Sequence, residues 1–415
     1  MDRRDFFKTG TIATMAAKVL SDVTLARAQA PAAQAGATPA AAPAPRRLIM
    51  DAYTRHLHWI RDPDQIAEAA IEITCGGVEP TVQAYPGHIN PDKVAQELPS
   101  FVRTMQKHGL RVKQVRGGNQ TDVSAPNLEP MVATMGQLGV THYWCGTDNY
   151  DLTKPIMPQL DAIKLKVDKF VKLNQKHGTT LMYHTRAGSN SVGSVVWDLL
   201  YVMKDFDPKY VGLHWDTGHM SHHGEMWETL MRTAGPYIVA MAWKDRAWEQ
   251  RLGLLGEGGP FPGPQPSAPA AAGGGGGGGG RGGGHGGGGQ GGRGGAPGAG
   301  GPPPEDGDGG GGRGNRGARP FPLTLAGNLF ARGAGWTSPY VPMGMGLVNI
   351  FRYAAVLRDI GFNGPMELEA EYPNGGAENG NDKITLPRAQ VLGNLKRDVL
   401  TIRTAFQQSD TGLSC

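Results

Sequence analysis

Apolar positions along the chain alternate between two spacings. Short β-rich runs are followed by longer runs in which apolar side chains recur with the 3.6-residue period of an amphipathic helix. From Arg46 onward this pattern predicts strands over 48–51, 77–80, 110–115, 140–144, 180–184, 210–215, 237–243 and 365–368. Helices are predicted over 62–73, 91–108, 127–138, 157–177, 194–204, 225–234, 347–360 and 386–406, one after each strand. Asp62-Pro63 supplies a capping carboxylate and a first-turn proline for the first helix, and Asn90 caps the second. Repeated βα alternation argues for a parallel sheet covered by helices, and eight units favour closure into a (β/α)8 TIM barrel, an α/β fold, over an open doubly wound sheet. No G-x-G-x-x-G follows the first strand, which speaks against a dinucleotide-binding sheet.

Composition changes this picture in one place. Of 415 residues 64 are Gly, and most of the excess lies in 253–319, inside the seventh βα connection. A segment so poor in apolar side chains cannot offset its ordering entropy, so a disordered Gly-rich insertion is expected there. Such an insertion is tolerable where its two ends already lie close in the fold. The barrel then comprises 46–252 and 320–415, roughly 300 residues with the insertion and N-terminal region removed, a size suited to one barrel. The formal net charge is only +4, which gives no electrostatic case for nucleic acid. Cys75, Cys145 and Cys415 are too few and too scattered for a disulfide framework, and no apolar run is long and clean enough to span a bilayer. Cys145 reads as a packed small side chain.

The N-terminus reads as an address. Met1-Asp-Arg-Arg-Asp-Phe-Phe-Lys8 resembles a twin-arginine export signal, a weakly apolar stretch follows over 9–26, and Ala26-Arg27-Ala28 fits a small-x-small cleavage site. The expectation is a signal peptide over 1–28 and an Ala/Pro-rich tether over 29–45, with the export machinery as partner and a periplasmic or otherwise exported product. That route carries folded proteins, so the resemblance suits an enzyme that loads a cofactor before export.

Barrels place reactive side chains where strands end. Here those ends carry His56 and His58, Glu79, Gln114 and Arg116, Tyr143 and Cys145, His184 and Arg186, Asp216 and His219, Lys244 and Asp245, and Glu367, Glu369 and Glu371. The most specific stretch is Val211-Gly-Leu-His-Trp-Asp-Thr-Gly-His-Met220, an apolar strand running into Asp216 and His219, which can both face one cation.

Asp216-Thr-Gly-His219, Met182-Tyr-His-Thr-Arg186, Trp243-Lys-Asp245 and Gly364-Pro-Met-Glu-Leu-Glu369 occur in the order seen in the sugar phosphate isomerase/epimerase family of xylose-isomerase-like barrels, which the chain resembles from Arg46 to Gln250 and from Ala334 to Phe406. The resemblance implies a divalent metal ion (manganese, cobalt, magnesium or zinc) held by His184, Asp216 and Glu369, and a small carbohydrate substrate. Ala242 stands where the family has a strand-seven His ligand, and Arg186 where many relatives have a second His. Glu369, and after it Glu79, is the candidate to take the proton next to a carbonyl, with Lys244 stabilising the enediolate and His219 orienting a hydroxyl or carrying a proton. His56, Arg186, Asp245 and Glu371 are candidates for substrate contact. The leading expectation is a sugar or keto-sugar isomerase or epimerase. A 3-keto-glycoside lyase or hydrolase begins with the same proton abstraction, and a non-catalytic sugar-binding barrel is the reading that Ala242 favours.

Overall fold

A computed structural model describes residues 46–188, 190–221, 226–250, 336–372, 380–409 and 411–414. The expected signal peptide, the Ala/Pro tether, the Gly-rich insertion and residues 320–335 of the expected last barrel segment lie outside the described residues.

Eight parallel strands form the barrel: β1 Met50–Tyr53, β2 Gly77–Glu79, β3 Gln114–Arg116, β4 His142–Trp144, β5 Thr180–His184, β6 Val211–Asp216, β7 Ile238–Trp243 and β8 Met366–Leu368. They are ordered β2-β1-β8-β7-β6-β5-β4-β3. The two end strands meet through bridges Gly77 to Arg111 and Thr81 to Arg116, with Val78 N–H donating to Arg111 O at 2.9 Å and Arg116 N–H to Pro80 O at 3.0 Å. The expected (β/α)8 barrel is therefore present. Its helices are α1 Pro63–Glu72, α2 Val94–Lys107, α3 Leu128–Leu138, α4 Ile156–His177, α5 Val196–Met203, α6 Met226–Ala234, α7 Ile350–Asp359 and α8 Arg388–Gln408.

Element types agree with the apolar pattern, and several boundaries move. The first strand begins two residues later than expected, because Leu48 donates its N–H to Ser414 O at 2.6 Å and Arg46–Arg47 pairs with Leu413–Ser414. The third strand, expected over 110–115, is shorter and ends one residue later, Gln114–Arg116. Pro91–Lys93 forms a separate 3-10 turn before α2. Thr217–Ser221 is a one-turn helix that carries His219.

Burial separates two cores. The large one lies between strands and helices, and within it Trp227 stacks on Tyr353 at 3.8 Å while Trp243 meets Tyr353 and Phe406 edge-on. The small one, Tyr53, Trp144, Met182 and Ala240, groups side chains of β1, β4, β5 and β7. Asp51 of β1 and Gln114 of β3 are buried too: Arg111 Nε donates to Asp51 Oδ1 at 3.0 Å and Gln114 Nε2 to Asp51 Oδ2 at 3.2 Å. Burial pushes the Asp51 carboxyl up to about 6 against the pull of Arg111.

The chain on either side of 251–335 is drawn together. Asp245–Arg246 pairs antiparallel with Tyr340–Val341, and Glu249–Gln250 with Trp336–Thr337. Asp245 fixes this junction. Its carboxylate accepts N–H groups from Arg246 at 2.8 Å and from Gly344, Gly346 and Val348 at 3.0 Å each. Two oxygens with four donors have no capacity left for a hydroxyl, so Asp245 holds the 344–348 segment in place of the expected substrate contact. Asp245→Ala is expected to cost about 2–3 kcal/mol, the scale of hydrogen bonds to a charged group, measured by urea denaturation.

Candidate active site at the C-terminal end of the barrel

The Asp216-Thr-Gly-His219 stretch works as a unit around Lys244. Thr217 Oγ1 donates to Lys244 O at 2.7 Å and accepts Lys244 N–H at 3.0 Å, clasping the backbone where β7 ends. Gly218 leaves room for the lysine stem, since a Cβ there would lie 2.9 Å from Lys244 Cγ. Asp216 Oδ1 accepts the His219 N–H at 2.7 Å, which closes the turn. The Lys244 ammonium then reaches Glu369 Oε2 at 2.7 Å, Glu371 Oε2 at 3.0 Å and His219 Nε2 at 3.3 Å as hydrogen-bond partners, and Asp216 Oδ2 at 3.0 Å as an ion pair. Burial by itself would lower the Lys244 pKa, but Asp216, Glu369 and Glu371 more than offset it and hold the amine well above the ordinary lysine range. The same pairing acts on the acids. Burial would raise Glu369, yet Lys244 holds it down at about 2, and His219 with Lys244 does the same for Asp216.

Behind this cluster runs a chain of imidazoles. His184 Nε2 lies 3.3 Å from Asp216 Oδ2, its Nδ1 lies 3.1 Å from His214 Nδ1, and His214 Nε2 lies 3.2 Å from Glu367 Oε1. Burial lowers His184 well below the usual histidine value and His214 to about 4, so both rings are neutral at pH 7. His184 also stacks on Trp144, with centroids 4.7 Å apart and planes 18° from parallel. Trp144 Nε1 donates to Glu79 Oε1 at 2.6 Å, and the Arg116 guanidinium covers the other ring contact at 4.1 Å.

Glu79 is the counterpart of Glu369. Complete burial raises its pKa well above 4.5, and the negative charges of Asp51 and Glu369 add to that. Its Oε2 has no hydrogen-bond partner among the described residues, so burial favours the protonated carboxyl and leaves one oxygen available to a ligand. The sign of the linkage follows. Above pH 4.5 the unfolded chain releases this proton while the folded chain keeps it, so rising pH favours unfolding by about 1.4 kcal/mol per pH unit until Glu79 ionises in the fold. Glu79→Gln keeps the acceptor for Trp144 and has no proton to lose. Urea denaturation is expected to find it equal to wild type near pH 4.5 and more stable at pH 8; equal stability at pH 8 would contradict a protonated Glu79.

The other expected residues distribute as follows. His56 Nε2 accepts the Ala370 N–H at 3.0 Å and its ring meets Tyr53 edge-on, which ties the loop after β1 to the loop after β8. Arg186 is half-buried, and its charge adds to the lowering of His184. Glu371 joins the site through Lys244. Tyr143 donates to Asn174 Oδ1 of α4 at 2.8 Å. Cys145 is buried and pushed up to about 12 by that burial, as suits a packed thiol. His58 is taken up by Gly380 O at 2.7 Å and Thr81 Oγ1 at 2.9 Å. Trp144, His214 and the Glu367 contact were not expected from sequence.

His184, Asp216 and His219 could bind a metal ion, their donor atoms lying within 4.8 Å of one another. His219 is thus the third donor within reach, where Glu369 had been expected. The Lys244 ammonium is in contact with two of the three, Asp216 and His219. Suitable as the donors are, a divalent ion does not fit among them while that ammonium is in place, so no chemical step below is routed through one.

Among the described residues no helix is long and apolar enough to cross a membrane. No protein-family model matches the chain, and no curated protein matches it. Solved structures do, and several of them are sugar epimerases. One is a D-psicose 3-epimerase with D-tagatose from Clostridium cellulolyticum H10, 13% identical, covering 86% of this chain and 99% of that one at a TM-score of 0.51. Another is 3-keto-D-glucoside 4-epimerase from E. coli, 8% identical, with coverage of 86% and 99% and a TM-score of 0.50. A D-psicose 3-epimerase in the presence of D-fructose is 12% identical with the same coverage and a TM-score of 0.50. At these identities the likeness is one of fold.

Proposed function

We propose that this barrel is an isomerase or epimerase of ketoses or keto-sugars, acting by proton transfer at the carbon next to a carbonyl. The observation that carries the reading is a pair of buried carboxyls pushed in opposite directions, Glu369 held down by the Lys244 ammonium it contacts and Glu79 raised by burial. Environments that push two titratable groups apart define an acid and a base.

In this reading the substrate carbonyl oxygen approaches Lys244 Nζ. Part of the ammonium's attraction is then drawn from Glu369, whose basicity rises. Glu369 removes the proton from the carbon beside the carbonyl, and the electron pair moves onto the carbonyl oxygen as an enediolate facing Lys244. Glu79 returns a proton. Delivery to the opposite face of the same carbon inverts it; delivery to the neighbouring carbon moves the carbonyl, with His219 carrying the hydroxyl proton from one enediol oxygen to the other. His219, His56 and Arg186 orient hydroxyls. A 3-keto-glycoside lyase shares the first half, with the enediolate expelling the glycosidic oxygen and Glu79 protonating it. We also propose, on Met1–Lys8 alone, that the protein is exported by the twin-arginine route.

The test is product analysis by NMR after incubation with a panel of ketohexoses and 3-keto-glucosides. An epimer or positional isomer supports the reading, release of the aglycone selects the lyase, and an unchanged panel with saturable sugar binding indicates a binding barrel.

A further inference from the structure

Lys244 Nζ has four acceptor atoms around it: Glu369 Oε2 at 2.7 Å, Asp216 Oδ2 and Glu371 Oε2 at 3.0 Å, and His219 Nε2 at 3.3 Å. Three carboxylates and an imidazole about one centre are donors that a hard or borderline divalent cation would also take. An ammonium offers three N–H donors and a full positive charge, and here three directed hydrogen bonds and one ion pair use both. The chain is shaped for it. Thr217 clamps the lysine backbone on both sides and Gly218 makes way for its stem. Two residues earlier on β7, the buried Ala242 is in register with Asp216 on β6 and with Glu367 on β8, so only a methyl group stands between those two acids. An ion bound to His184, Asp216 and His219 would share two of its ligands with the ammonium, bringing like charges together in a buried site where water cannot screen them.

We propose that Lys244 is the resident cation of this barrel, occupying the acids that would otherwise collect a divalent metal, so that the native protein excludes a metal which removal of the lysine side chain admits. This concerns the occupant of the acid cluster and stands apart from the choice of substrate.

The test is Mn2+ binding by calorimetry on the purified full chain, with wild type, Lys244→Ala, Lys244→Met and the double variant Lys244→Ala/Asp216→Asn. Lys244→Ala is expected to take up one equivalent at least about a hundredfold more tightly than wild type, since a like charge in contact has been removed. Mn2+ should raise the Tm of that variant and leave wild type unmoved, and Asp216→Asn should abolish the gain. Two results would overturn the proposal. One is a wild-type protein that binds one equivalent tightly and loses it on Asp216→Asn substitution. The other is a pair of lysine variants, both folded by circular dichroism, that bind Mn2+ no better than wild type. Neither readout involves turnover, so a wrong substrate class leaves both intact.

Discussion

Glu369→Gln is expected to lower kcat about a thousandfold, within the range by which a positioned general base accelerates proton transfer. The amide keeps the size of the side chain and an oxygen for Lys244, so the ammonium still has Asp216, Glu371 and His219. Binding of the sugar depends on those groups and on His56 and Arg186, so KM should change little. A fall in kcat and kcat/KM together marks an interaction made in the transition state. A rise in KM at unchanged kcat would instead make Glu369 a binding group and move the base elsewhere. Because Lys244 holds Glu369 near 2, its ionisation does not limit activity at mildly acid pH. Activity should fall instead on the alkaline side, as Glu79 loses the proton it donates.

Lys244→Met is expected to damage activity and stability together. Removal of the group facing the developing oxyanion should cost about two to three orders of magnitude in kcat. The fold also loses the counter-charge of three acids, and breaking a buried ion cluster from one side costs about 3–5 kcal/mol. The pH dependence separates this from simple loss of packing. In wild type the depressed carboxyls of Asp216 and Glu369 contribute stability that is present above pH 4 and is lost as pH falls toward 2. Without the ammonium, burial raises those carboxyls in the folded state, and the sign reverses. The variant should be closer to wild type in stability at pH 5 than at pH 8, as urea denaturation at the two values would read. A deficit independent of pH would mean that the stem of Lys244 matters and its charge does not.

Much of the architecture was legible because strand and helix leave different apolar periods and eight units leave little choice of closure. The site was legible as a list of strand ends and less so as an arrangement. In β4 the choice of Tyr143 and Cys145 took the wrong parity: alternate residues face opposite ways, so His142 and Trp144 share one face, and Trp144 is the residue that meets His184 and Glu79. The same spacing of two links His214 to Asp216 and Glu367 to Glu369. Applied to every strand, it would have exposed the buried polar chain behind the site. The clasp of Thr217 on Lys244 spans 27 residues and the grip of Asp245 on Val348 spans 103. Contacts at such separations leave no local pattern, so Asp245 read as a substrate contact.

The most direct test is proton exchange in deuterated water. Ketohexoses and 3-keto-glucosides would be incubated with wild type and with Glu369→Gln, and deuterium located by NMR. The expected result is deuterium at one carbon adjacent to the carbonyl with wild type, at least about a hundredfold slower with the variant. Conversion of a sugar with no solvent deuterium in product or recovered substrate, or exchange that Glu369→Gln leaves unchanged, would contradict proton abstraction by Glu369.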